Sequence, residues 1–147
     1  MEAPRSCWAA LEDKAQRRIN ELQAEIAQAG QLLETLYASR TRLLTLYQEY
    51  RDQLQSRTEQ LGMQEDMNQR QFMSQLQTLH NRVEADIERT MAHQTALQAA
   101  LREADTERLK MKTLRENAQA LHNKEVARQE QHAMDALGVQ QYNRKAA

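Results

Sequence analysis

The residue types that could carry metal or acid–base chemistry are few. They are Cys7 and four histidines, His80, His93, His122 and His132. His80 and Glu84 stand four apart, which on a helix puts an imidazole and a carboxylate on one face, as a metal site would need. Two ligands do not close a coordination shell, so a solvated helix face is the simpler reading. His93 is expected on an apolar seam opposite Leu33, and His122 and His132 carry no signal by themselves. The sequence has no glycine-rich phosphate loop, nucleophile elbow or paired-cysteine site. The lone Cys7 has no partner for an internal disulfide, which fits a reducing cytoplasm. No metal, cofactor or catalytic residue is expected, and the chain does not read as an enzyme.

The elements that would hold any site are helices. Of 147 residues, 40% are hydrophobic but only 4% aromatic, and 28% are charged, with three glycines and one proline. That is the profile of long exposed helices built from good helix formers, with too little bulky apolar mass for a compact core. Net charge is −1 with the two signs interleaved, so phosphate neutralisation of nucleic acid is not expected. No run approaches 18 apolar residues, so no membrane-inserted segment is expected. Glu2, Arg5 and Glu12, with no apolar run between them, do not read as a secretory signal.

Apolar residues recur in steps of three and four, as in a coiled-coil seam. The first stripe reads Trp8, Leu11, Ala15, Leu22, Ile26, Ala29, Leu33, Leu36, Leu43, Tyr47, Tyr50, Leu54. The second reads Phe72, Leu76, Leu79, Val83, then Leu97, Ala100, Ala104, Met111, Leu114, Ala118, Leu121. Neither stripe can bury itself alone. Gly62, in a long glycine-free stretch, is where the chain can turn, with a left-handed glycine ending the first helix.

Folding back there predicts an all-α, two-helix antiparallel coiled-coil hairpin whose paired residue numbers add to about 126. The expected parts are helix one at about 5–58, a bend at 59–66, and helix two at 67–140, ended by Gly138. Residues 122–147 are expected to overhang. The register places two polar breaks opposite each other: Arg40 with Asp86, and Arg18 with Glu107. Such pairs would set the register more than they would add stability. Near the bend, Tyr47, Tyr50 and Phe72 gather with Met63, Met67 and Met73, a surface that suits either partner contact or plugging the coil end.

LYQEYRDQL at 46–54, NQRQFMSQLQTL at 68–79 and LRENAQALHNKEVARQEQHAMDALGVQQYNRK at 114–145 together resemble the FliJ family of flagellar export proteins. The chain departs from the family in two places, with Asp135-Ala136 where the family usually has Asp-Glu, and with Tyr47 and Tyr50 three apart, so that either Leu46 or Tyr47 stands for the family's first aromatic. The resemblance implies a hairpin similar to the gamma stalk of rotary ATPases, whose helical ends enter a hexameric flagellar export ATPase (FliI-like), regulated by a FliH-like protein, and stimulate it. It implies contact with a membrane export gate (FlhA-like) and with export chaperones. It also implies a monomer, peripheral at the cytoplasmic face of the bacterial inner membrane at the flagellar base. The gate-binding face would be Leu43, Tyr47 (or Leu46), Tyr50, Phe72, Leu76, Leu79 and Val83. The ring-facing end would carry Lys124, Arg128, Arg144 and Lys145. The alternatives are the stalk of a virulence-type injectisome and a homodimeric coiled-coil scaffold.

Overall fold

The computed structural model describes residues 7–57 and 62–146. Two helices carry nearly all of them, α1 (Cys7–Arg57) and α2 (Met63–Ala146), and no strand occurs among the described residues. The fold is an all-α helical hairpin. Besides intrinsic propensity, the helices are held by local side-chain pairs. The Nε2 of Gln16, Gln64, Gln77 and Gln119 donates to the Oδ1 of Asn20, Asn68, Asn81 and Asn123, and that of Gln131 to Asp135, always four residues on. Each such pair stabilises an exposed helix by about 0.2–0.5 kcal/mol. Glu65 and Asp66 in the first turn of α2, and Arg144 and Lys145 in its last, complement the helix dipole.

The glycines act differently from expectation. Gly62 has no positive φ, and its carbonyl accepts from Asp66 N at 3.0 Å. It therefore opens α2 as an N-cap and does not end α1 with a left-handed turn. Helix two begins at Met63, four residues before the expected boundary. Of the expected bend, residues 59–61 lie outside the described residues. Gly138 does not end α2 either: the helix continues to Ala146. A glycine in a helix interior costs about 1 kcal/mol against alanine, which slows a helix without stopping it. The residues that follow, Val139, Gln140, Gln141 and Tyr142, include no proline to force an end.

The chain divides into two compact units, Glu21–Leu101 and Met1–Asn20 with Arg102–Ala147. In the first, three cross-helix contacts fix an antiparallel order. The Tyr50 and Phe72 rings lie 4.6 Å apart at 52°, Arg40 Nη1 lies 3.3 Å from Glu84 Oε1, and Tyr37 Oη lies 3.7 Å from Met91 Sδ. The core of this unit is Leu22, Ala29, Leu33, Leu76, Ile87 and Leu97, with Leu22 only 1% exposed. Burying one such leucine contributes about 1.5–3 kcal/mol. Thr90 is buried among them and its hydroxyl donates to Asp86 O at 2.8 Å, so the polar group is satisfied within its own helix.

The second unit holds one buried apolar residue among those described, Ile19. Half-buried positions continue along both of its helical segments, at Trp8, Glu12 and Ala15 and at Ala104, Arg108, Met111, Arg115, Ala118 and His122. Arg115 Nε approaches Glu12 Oε2 to 2.6 Å. The N–H is not aligned for a hydrogen bond, so the contact is an ion pair. From residue 127 to residue 146 every residue of α2 is exposed.

The covered positions in each unit follow steps of three and four, with some neighbours also half-buried, and their phase corrects the expected stripes. Leu11, Leu79, Leu114 and Leu121 are exposed residues flanking the seam. The covered positions beside them are Glu12, His80, Arg115 and His122. Arg18 does not break the seam: it is exposed, and Ile19 next to it is buried. Glu107 is likewise exposed beside half-buried Arg108. His93 is exposed rather than seated against Leu33, and Thr90 and Gln94 are the covered neighbours.

Candidate functional site

Among the described residues the side chains form no catalytic arrangement. Among the described residues no group of three or more His, Cys, Asp or Glu converges to hold a metal. His80 Nε2 does approach Glu84 Oε1, at 3.7 Å, but that same oxygen is taken by Arg40 at 3.3 Å. The carboxylate is thus neutralised by a guanidinium, which does not suit a cation ligand. The candidate surfaces are for partners, one in each unit.

In the Glu21–Leu101 unit, the expected gate-binding residues do not form a single exposed face. Leu76 is 5% exposed and belongs to the core. Leu43, Leu46, Tyr47, Tyr50 and Val83 are half-buried. The residues offered outward are Phe72 at 37% and Leu79 at 45%, joined by exposed Met63, Met67 and Leu44. Tyr50 holds the Phe72 ring in a tilted stack, worth about 0.5–1.5 kcal/mol beyond its area, so Phe72 is presented in one orientation. Beside this cluster Arg51, Leu54, Gln55, Asp66 and Arg70 line a shallow hollow of about 370 Å³, where Arg70 Nε pairs with Asp66 Oδ2 at 3.1 Å. The covered and offered residues separate because their spacing differs: positions on the three-four seam are spent on the neighbouring helix, and their flanking neighbours are left for something else.

The other surface is the exposed stretch of α2. Lys124, Arg128, Arg144 and Lys145 are all exposed there. Arg128 Nη2 is held by Glu125 Oε1 at 3.1 Å, which leaves the other three as the cations with no ion pair among the described residues. This end is not only basic, as its charges suggest, but also apolar. Met134, Leu137, Val139 and Tyr142 stand exposed beside the charges. The available signal was large apolar residues on a helix beyond its last seam position, where nothing in the chain can cover them.

The register pair Arg40–Asp86 is not formed. Arg40 reaches Glu84, while Asp86 pairs with Arg89 on its own helix. A residue three positions on along a helix is within easy reach of a carboxylate, so Arg89 satisfies Asp86 without crossing the seam. For Arg18 and Glu107 the structure gives flanking, exposed positions.

Among known proteins, the family model described as flagellar FliJ protein matches residues 9–147. No curated protein and no solved structure gives a significant match. The match runs through both units, the aromatic cluster and the exposed C-terminal stretch of α2 alike. The chain belongs to the FliJ family and is a component of flagellar type III protein export.

Proposed function

We propose that this chain is a non-enzymatic, stalk-like part of the export apparatus. It inserts the exposed end of α2 into the hexameric export ATPase and stimulates it, while the Phe72 cluster meets the membrane export gate. The observation that carries this reading is that α2 runs as bare helix over residues 127–146, with cations and large apolar side chains both turned outward. A single helix that exposes this much apolar surface gains by entering a concave site, and a ring with acidic loops offers one. For the gate, the offered residues are Phe72 and Leu79, with Tyr50 fixing the ring of Phe72. Leu76 and Val83 support them from the seam. The FliH-like regulator and export chaperones are further partners on this reading. The protein acts as a monomer at the cytoplasmic face of the inner membrane, where it is peripheral. No described helix is long and apolar enough to cross a membrane.

The test is ATP hydrolysis by the purified export ATPase with each variant added, together with binding to the soluble part of the gate. Deleting residues 127–147 is expected to abolish stimulation and leave gate binding intact. Phe72→Ala with Leu79→Ala is expected to do the reverse. If the truncated chain stimulates like the parent, the end of α2 is not the ring contact.

A further inference from the structure

The Met1–Asn20/Arg102–Ala147 unit closes far more weakly than its length suggests. Among its described residues twelve positions are covered: Trp8, Ala9, Glu12, Ala15 and Ile19 on α1, with Ala104, Arg108, Met111, Arg115, Ala118, His122 and Val126 on α2. Only Ile19 is buried. Four of the twelve are alanines, which remove little apolar area from water, and four are ionisable. By contrast the Glu21–Leu101 unit buries Leu22, Leu33, Leu76, Ile87 and Leu97.

The charges in this weak seam are handled unequally. Arg108 turns to Asp105 on its own helix, at 3.0 Å, and does not cross. Arg115 crosses to Glu12. The Glu12 side chain is 20% exposed and that of Arg115 42%, so this pair sits partly out of water. An arginine held there without its carboxylate would be a costly, uncompensated charge.

We propose that residues 7–20 of α1 form a releasable strap, clasped to α2 by the Glu12–Arg115 ion pair, which opens while the Glu21–Leu101 unit stays closed. Local opening of this kind belongs to segments with few buried apolar contacts. Release bares Met111 and Ala118 on α2, together with Arg108 and Arg115, and so turns a closed seam into a cationic amphipathic face. The strap does not depend on which partner meets the end of α2.

Hydrogen exchange of the full chain, resolved by peptide, tests it. Amides at 9–18 should exchange at least about tenfold faster than those at 22–36, since opening there requires no loss of the main core. Glu12→Gln should speed exchange at 9–18 by a further factor of about three to ten and leave 22–36 unchanged. The exchanged pair Glu12→Arg with Arg115→Glu should return exchange at 9–18 to near the parent rate. Equal protection of the two segments in the parent, or acceleration that spreads into 22–36, would overturn the strap. No response to Glu12→Gln, or no recovery in the exchanged pair, would overturn the clasp.

Discussion

Arg40 Nη1 lies 3.3 Å from Glu84 Oε1, and the same oxygen stands 3.7 Å from His80 Nε2. One carboxylate on α2 thus serves a cation on α1 and an imidazole one turn back on its own helix. The arginine bypasses Asp86, which Arg89 already occupies.

That arrangement makes a double-mutant cycle decisive. Arg40→Ala and Glu84→Ala should couple by about 0.2–1 kcal/mol, small because both side chains are more than a third exposed. Arg40→Ala with Asp86→Ala should show no coupling. Urea unfolding followed by circular dichroism measures both, and the opposite ranking would return Asp86 to Arg40.

Leu76 should behave as core and Phe72 as surface. Leu76→Ala removes a residue 5% exposed and should cost about 2–5 kcal/mol. Phe72→Ala should cost less, losing its stack on Tyr50 and part of its area. If gate binding drops for Leu76→Ala only as far as the folded fraction drops, Leu76 supports the site without touching the partner.

Neighbours on α1 offer a direct test of the seam phase. Ile19→Ala should destabilise by about 2–4 kcal/mol, while Arg18→Ala should stay within about 0.5 kcal/mol. Equal effects would mean that the covered face of α1 has been assigned one residue out of phase.

Gly30 and Gly138 both lie inside helices without a positive φ. A Cβ on Gly30 would sit 3.8 Å from Gln94 Nε2, an ordinary contact, and one on Gly138 would meet nothing within 4 Å. Gly30→Ala should therefore raise stability by about 0.5–1 kcal/mol. Gly138→Ala should raise helix content with little change in the unfolding midpoint, because the surrounding segment buries nothing. A loss of stability at Gly30 would show that the helices approach more closely there.

Oligomeric state is open to the same kind of check. With Cys7→Ser, cysteines at Tyr37 and Met91, whose side chains meet at 3.7 Å, should crosslink within one chain. A product of twice the mass would favour a homodimeric rod and remove the monomeric stalk.

The sequence by itself determined that the chain is all-α and that its helices need each other in a hairpin. Those conclusions rest on composition and on the three-four repeat, which are local properties. It also carried the family, through three segments in a given order. The phase of the seam was less legible, because adjacent positions such as Leu11 and Glu12, Arg18 and Ile19, or Leu79 and His80 compete for it. Hydrophobicity favoured the leucine in two of these cases, and the neighbouring helix covered the other residue. Which ion pairs form was decided only in three dimensions, since Asp86 had a cheaper partner three residues away than one across the seam. The fate of the glycines was decided there too: a glycine permits a left-handed turn, but only the chain around it makes that turn favourable, and here Gly62 instead opens α2 while the helix continues through Gly138.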